Sequence, residues 1–226
     1  ETFLNIRGGD DLIDACRKCY ASLFTDRALN YREHRGFDHL KLALSVGVQK
    51  MVGSDKASAG VMFSLDTDSG FPDVVVINAT WGLGETVVQG TVDPDEYRVF
   101  KPGLDNKNLM PILAKKCGSK KEKMIYASRG SAPTRTVNTK KAERETLVLG
   151  DDDILTLARW AVSIEKHYHK PMDMEWAKDS ESGELYCVQA RPETVHSQKQ
   201  SGAFKSYRLE GTGEVLSRGV AIGESI

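Results

Sequence analysis

Residues 172–191 constrain this chain more than any other stretch. Met172-Asp173-Met174-Glu175-Trp176-Ala177 alternates apolar and charged side chains, Asp179-Ser180-Glu181-Ser182-Gly183 is rich in turn formers, and residues 185–191 alternate again. Side chains two apart on a strand share a face, so the pattern predicts a β-hairpin with one apolar and one polar side. Met172, Met174 and Trp176 fall on the first side, Asp173 and Glu175 on the second. On the returning strand Leu185, Cys187, Gln189 and Arg191 are expected to share a face, opposite Tyr186, Val188 and Ala190. Pairing Asp179 with Leu185 sets Glu175 across from Gln189 and Asp173 across from Arg191. A slip of one residue separates them.

Two carboxylates, a carboxamide and a guanidinium on one sheet face suit Mg-ATP. Magnesium takes hard oxygen ligands, and the guanidinium fork matches phosphate oxygens and stabilises charge during transfer. An ordinary sheet face with a cross-strand Asp–Arg pair, worth ~0.2–1 kcal/mol, fits the same spacing. Spacing alone leaves both readings open.

The rest of the chain reads as α+β. Leu12, Cys16, Cys19, Tyr20 and Leu23 recur at helical steps over 10–24, and Thr25 offers an N-cap for a second helix through Arg32. From Leu44 the period becomes that of strands: 45–52, 58–64, 73–78 and 96–100, then segments around Ile112, Ile125, Val137 and Leu147. Asp151, Asp152 and Asp153 supply a cap and first-turn charge for a helix that runs to Tyr168 and is closed by Pro171. The predicted fold is a mostly antiparallel sheet with packed helices over 1–195. A polar linker follows over 196–206, and new short strands begin over 207–226.

A net charge of −1 over 226 residues lacks the basic excess of a nucleic-acid or membrane-surface binder. No run of about 18 apolar residues exists to span a membrane. The four cysteines, Cys16, Cys19, Cys117 and Cys187, form no disulfide framework, so a reducing, cytoplasmic setting is expected. Cys16 and Cys19 make a lone CxxC, read either as a redox or metal motif or as two small apolar residues in a helix. The chain starts at Glu1 and stops at Ile226 without signal or tail character, and is expected to be a piece of something longer.

Several smaller features carry alternatives. Thr80-Trp81-Gly82-Leu83-Gly84-Glu85 follows a buried strand; its glycines permit close backbone approach and Glu85 could reach a ribose hydroxyl or a metal, or the loop is a plain turn. Gln49-Lys50-Met51-Val52 suits an adenine edge read by Gln49, or an ordinary edge strand. His167 and His169 lack a third ligand nearby and read as a solvated helix end. Lys115-Lys116 and Lys120-Lys121-Glu122-Lys123 read as an exposed basic hairpin, without interleaved aromatics for nucleic acid.

Together these segments resemble the phosphoenolpyruvate synthase (pyruvate, water dikinase) family. The likeness rests on Leu44-Ser45-Val46-Gly47-Val48-Gln49-Lys50-Met51-Val52, Ala59-Gly60-Val61-Met62-Phe63, Gly82-Leu83-Gly84-Glu85, Val87-Val88-Gln89-Gly90 and Pro94-Asp95-Glu96. It continues through Ile164-Glu165-Lys166-His167-Tyr168, Asp173-Met174-Glu175-Trp176-Ala177 and Gln189-Ala190-Arg191-Pro192-Glu193-Thr194. The last motif is shared with pyruvate phosphate dikinase and rifampicin phosphotransferase. The resemblance implies the C-terminal part of an ATP-grasp domain followed by the start of a swivelling phosphohistidine domain. It implies ATP and Mg2+, with pyruvate as a substrate of the full enzyme. By motif position Glu175 and Gln189 would hold magnesium and phosphates, Arg191 would contact the transferring phosphate, Gln49 would sit by the adenine, and Glu85 would touch ribose or nucleotide. The family's upstream phosphate-binding segment, its phosphohistidine and its barrel are not matched here, so this stretch alone is expected to be inactive and to bind ATP weakly. An antibiotic phosphotransferase of the same superfamily and a non-catalytic nucleotide-binding module are the competing readings.

Overall fold

Val74, Val75, Val76 and Ile77 are β-branched, stiff at χ1, and suited to a strand buried on both faces. They open β2, near the centre of a six-stranded sheet. The computed structural model describes residues 1–106, 108–127 and 133–193. In chain order the strands are β1 (Ser58–Phe63), β2 (Val74–Trp81), β3 (Asp95–Phe100), β4 (Ile112–Lys116), β5 (Glu122–Tyr126), β6 (Thr134–Asn138), β7 (Met172–Lys178) and β8 (Leu185–Pro192). The helices are α1 (Gly9–Ala21), α2 (Asp26–Arg35), α3 (Glu85–Val88), α4 (Lys141–Glu145) and α5 (Asp151–Tyr168). The large sheet runs β4-β3-β2-β1-β7-β8, antiparallel at every pairing, and β5-β6 form a separate hairpin.

One face of the large sheet is covered by α5. Ile154, Leu157, Ala158 and Ala161 recur at three- and four-residue steps, are fully buried, and join a core with Met62, Ile77, Tyr97, Met174 and Trp176. Each large side chain sealed there contributes roughly 1.5–3 kcal/mol. At the edge of this core lies a polar knot. The Asp95 carboxylate accepts N–H bonds from Gly118 at 2.8 Å and Val148 at 2.7 Å, and the Tyr97 hydroxyl at 3.2 Å. It also pairs with the Lys120 ammonium, both side chains being wholly buried. The Tyr97 oxygen accepts the Leu149 N–H at 3.0 Å. Burial, reinforced by the charge of Asp95, holds the Tyr97 phenol far above its ordinary pKa.

The structure corrects several expectations. Residues 45–52 form no strand and are mostly exposed, although their composition is strand-like; no neighbouring strand pairs with them. Leu147 lies between α4 and α5 rather than on a strand. Gly150, not an aspartate, is the N-cap of α5, and no side chain caps that terminus. The three aspartates still place negative charge in the first turn, where Asp151 pairs with Lys115 and Asp153 with Lys178 at 2.5 Å. The basic hairpin, expected to be exposed, contains the buried Lys120, and its Lys123 pairs with Glu143. Thr25 does precede α2, but its hydroxyl donates to the Ser22 carbonyl rather than capping the helix. The expected linker over 196–206 and the strands over 207–226 lie outside the described residues.

Candidate functional site

The face of the sheet opposite α5 carries the polar groups, and antiparallel register lines them up across strands. Glu175 of β7 stands opposite both Gln189 of β8 and Val61 of β1, and Val61 stands opposite Asn78 of β2. One pair further along, Asp173 faces Arg191 on β8 and Phe63 on β1. The carboxylates therefore share a face because their apolar neighbours Met172, Met174 and Trp176 are claimed by the α5 core.

Sequence reasoning reached these pairings through a register that fails nearer the turn. Lys178, not Asp179, pairs with Leu185, and the register shifts between Glu175 and Trp176. Trp176 pairs with Cys187 and Glu175 with Gln189, so Val188 is the extra residue of a β-bulge. The bulge restores the expected alignment at Gln189 and Arg191. It also places Cys187 opposite Trp176, which corrects the expectation that Cys187 shares a face with Gln189 and Arg191.

Contacts follow the register. The Gln189 amide nitrogen donates to Glu175 Oε1 at 3.1 Å. Arg191 donates from Nε and from a terminal nitrogen to the same Asp173 oxygen, 2.8 Å in each case. Asp173 is largely shielded while Arg191 is mostly exposed. One edge of the guanidinium is thus fixed and its remaining N–H groups are left for an incoming anion. Burial raises the Glu175 carboxyl above its ordinary pKa; Arg191 opposes this, while the negative charges of Asp173 and Glu85 add to it.

Glu85 is therefore close enough to be felt by Glu175, although the two are far apart in sequence. It opens α3 after the Gly82–Gly84 turn, and its carboxylate accepts a 2.7 Å bond from Gln89. The turn itself is forced into place. Gly82 has φ 82°, and a Cβ there would meet the Met124 carbonyl oxygen at 2.3 Å. The Leu83 N–H donates to that same carbonyl at 2.9 Å. Gln49 is not brought to this cluster by any hydrogen bond among the described residues; it lies exposed in the irregular stretch before Gly53.

A divalent cation bound together with nucleotide phosphates needs hard oxygen donors and a local excess of negative charge. Asp173 and Glu175 stand on one sheet face with a single guanidinium, and the charge of Glu85 adds to theirs at Glu175, which leaves that excess. Buried on the same face are Asn78 Oδ1 and Thr80 Oγ1, two polar atoms without a hydrogen-bond partner. Among the described residues no three His, Cys, Asp or Glu side chains come together as a self-sufficient metal cage. This donor set suits Mg2+, which keeps waters and shares ligation with phosphates, better than a cation needing an all-protein shell. Sequence reasoning counted Asp173 among the two carboxylates of this face, without a separate ligand role, and assigned no role to Asn78 or Thr80. The signal for Asp173 was its place opposite Arg191; for Asn78 it was an amide in an otherwise apolar run.

A family model described as the pyruvate phosphate dikinase, AMP/ATP-binding domain matches residues 1–210. Curated relatives named phosphoenolpyruvate synthase include proteins from Helicobacter pylori, 54% identical, Synechocystis, 53% identical, and Escherichia coli, 49% identical. Each alignment covers 100% of this chain, and the chain spans 29%, 28% and 28% of those relatives respectively. Among the described residues no helix is long and apolar enough to cross a membrane.

Proposed function

The chain belongs to the pyruvate phosphate dikinase AMP/ATP-binding domain family, and we propose that it is the nucleotide-binding segment of a phosphoenolpyruvate synthase. In that reading residues 1–195 are the C-terminal part of an ATP-grasp domain, 196–206 a linker, and 207–226 the beginning of a phosphohistidine domain. The full polypeptide converts ATP, pyruvate and water to phosphoenolpyruvate, AMP and phosphate by way of a histidine outside this segment.

The residues divide the work by chemistry. Arg191, held on one edge by Asp173, directs its free N–H groups at the transferring phosphoryl oxygens and stabilises the charge that develops there. Glu175 and the side-chain oxygen of Gln189 would hold Mg2+, which would supply neutralisation of phosphate charge. That role requires the Gln189 amide to turn its oxygen toward the metal, a rotation about its terminal torsion. Glu85 approaches from α3 to contact ribose or another part of the nucleotide. Gln49, in the stretch leading to Gly53, reads the adenine edge.

The observation that carries this reading is the β7–β8 register. It places an acid against an amide and an acid against an arginine on the one sheet face that α5 leaves open. The test is Arg191→Ala in a chain of the relatives' full length carrying this segment. ATP-dependent phosphohistidine formation is expected to fall about 10²–10³-fold, the usual loss when one charge-stabilising donor is removed. Formation at the parent rate sinks the catalytic reading and leaves only a nucleotide-binding module.

A further inference from the structure

The irregular stretch that ends at Val52 and Gly53 is held from two sides. From β5, the Tyr126 hydroxyl donates to the Val52 carbonyl at 3.2 Å. From the β7–β8 turn, Asp179 Oδ2 accepts the Gly53 N–H at 3.0 Å, and the Ser180 N–H returns a bond to the Gly53 carbonyl at 2.9 Å. The other oxygen of Asp179, Oδ1, accepts the N–H groups of Glu181 and Ser182, at 2.9 Å each. Those are the bonds that shape the turn. The one carboxylate therefore has two separable jobs: Oδ1 folds the tip of the hairpin, and Oδ2 ties a segment 126 residues away to it.

The hairpin so tied is the one whose far end carries Glu175, Gln189 and Arg191, and the tied segment is the one that carries Gln49 three residues before Val52. We propose that Asp179 is a positioning residue for the nucleotide, fixing the base-reading segment against the phosphate-handling hairpin so that both ends of one ATP are met at a set spacing. The inference rests on the functional reading above, since it needs residues 49–52 to meet the base. Three backbone N–H donors also hold the Asp179 carboxyl below its ordinary pKa, as expected of a carboxylate kept ionised to accept them. Space agrees with the role. A Cβ at Gly53 would sit 3.0 Å from Asp179 Oδ2, tighter than an ordinary contact, so a side chain there would push the carboxylate back by a few tenths of an ångström.

Asp179→Asn separates the two jobs. Its amide oxygen still accepts from Glu181 and Ser182, but the NH2 group that replaces Oδ2 cannot accept from Gly53. In a chain of the relatives' full length, this variant is expected to raise KM for ATP about tenfold while kcat stays within about twofold and Tm moves little. Gly53→Ala attacks the same contact from the other side and is expected to raise KM similarly. Combining the two is expected to add nothing further, since both break one bond. Arg191→Ala run alongside tells the two ideas apart. If it abolishes transfer while Asp179→Asn leaves KM for ATP unchanged, the positioning role is overturned and the functional reading stands. Loss of kcat and Tm together without a change in KM also overturns it, as does full additivity of the pair. If Arg191→Ala leaves transfer intact, both fall. Should Asp179→Asn not fold, Gly53→Ala alone decides: an unchanged KM overturns the proposal and a raised KM with steady kcat upholds it.

Discussion

On the α5 side of the large sheet, the buried charges are matched; on the opposite side, the groups are left in tension. Asp95 is wholly buried with Lys120, and two backbone N–H groups and a hydroxyl complete its shell. On the same face Met62, Met174 and Trp176 pack almost without exposure to water. Across the sheet, Glu175 feels Asp173 and Glu85 as well as the one guanidinium, and Asn78 and Thr80 keep buried oxygens without partners. The same β7 residues supply both faces in strict alternation. Charge is paired off on the α5 face, where only the Trp176 indole N–H is buried without a partner among the described residues, and the capacity to bind charge is kept where folding has not used it up.

The sharpest way to break that comparison is to damage the matched face. Lys120→Met removes the cation and leaves Asp95 buried beside an alkyl chain. Removing one partner of a buried pair costs about 3–5 kcal/mol. The loss is expected in chemical denaturation as a lower midpoint with an unchanged slope. A smaller cost, near zero, would mean that the Gly118 and Val148 N–H groups satisfy Asp95 by themselves. The counterpart on the open face is Arg191→Ala, already given as the test of function. Its expected cost of about 2.7–4 kcal/mol lies in the barrier to transfer, with little change in denaturation midpoint, because Arg191 is mostly exposed. If Arg191→Ala instead destabilised the fold as much as Lys120→Met, the division between the faces would fail.

Met174→Ala asks how far the division holds within one strand. Met174 is fully buried between Asp173 and Glu175, and truncating such a side chain costs about 2–5 kcal/mol. If α5 packing fixes β7, the surviving folded fraction should keep its KM for ATP. A raised KM in the folded fraction would show that core packing on one face sets site geometry on the other.

How much of this was legible in the sequence depends on whether the signal was local. Alternation along β7 announced which residues face the core and which face the site, because period two is a property of the strand itself. The cross-strand partners of Glu175 and Asp173 were also reachable, yet only because a one-residue error at the turn was cancelled by the bulge at Val188. Nothing in Tyr186-Cys187-Val188-Gln189 marks which residue is left unpaired. The approach of Glu85 to Glu175 depends on how the Gly82–Gly84 turn seats against Met124, a long-range contact that no local pattern encodes. Residues 45–52 misled for the opposite reason. Their composition is strand-like, but a strand needs a neighbour to pair with, and the sheet edges lie elsewhere. Lys120 read as surface because lysine is almost never fully buried unless paired, and its partner Asp95 stands 25 residues away.

The smallest effect expected is also the most direct measure of tension on the open face. A carboxyl whose pKa is raised on folding binds its proton more tightly in the native state than in the unfolded one. Stability then falls as pH rises from the ordinary carboxylate value through the raised native value, and the deficit persists above it. Glu175 is such a group. Glu175→Gln removes the charge while its side-chain oxygen can still accept from Gln189, so the variant should be more stable than the parent at about pH 7. Glu175 is only half-buried, and water screens part of the strain, so the expected gain in Tm is no more than about 2 °C. The gain should vanish in acid, where the parent's Glu175 is protonated and neutral too. Thermal melts of both proteins across that range give the answer. A gain that is the same at acid and neutral pH would mean that the substituted amide merely packs better than the carboxyl. A loss at neutral pH would mean that Arg191 more than offsets Asp173 and Glu85, and that the open face is as well matched electrostatically as the one under α5.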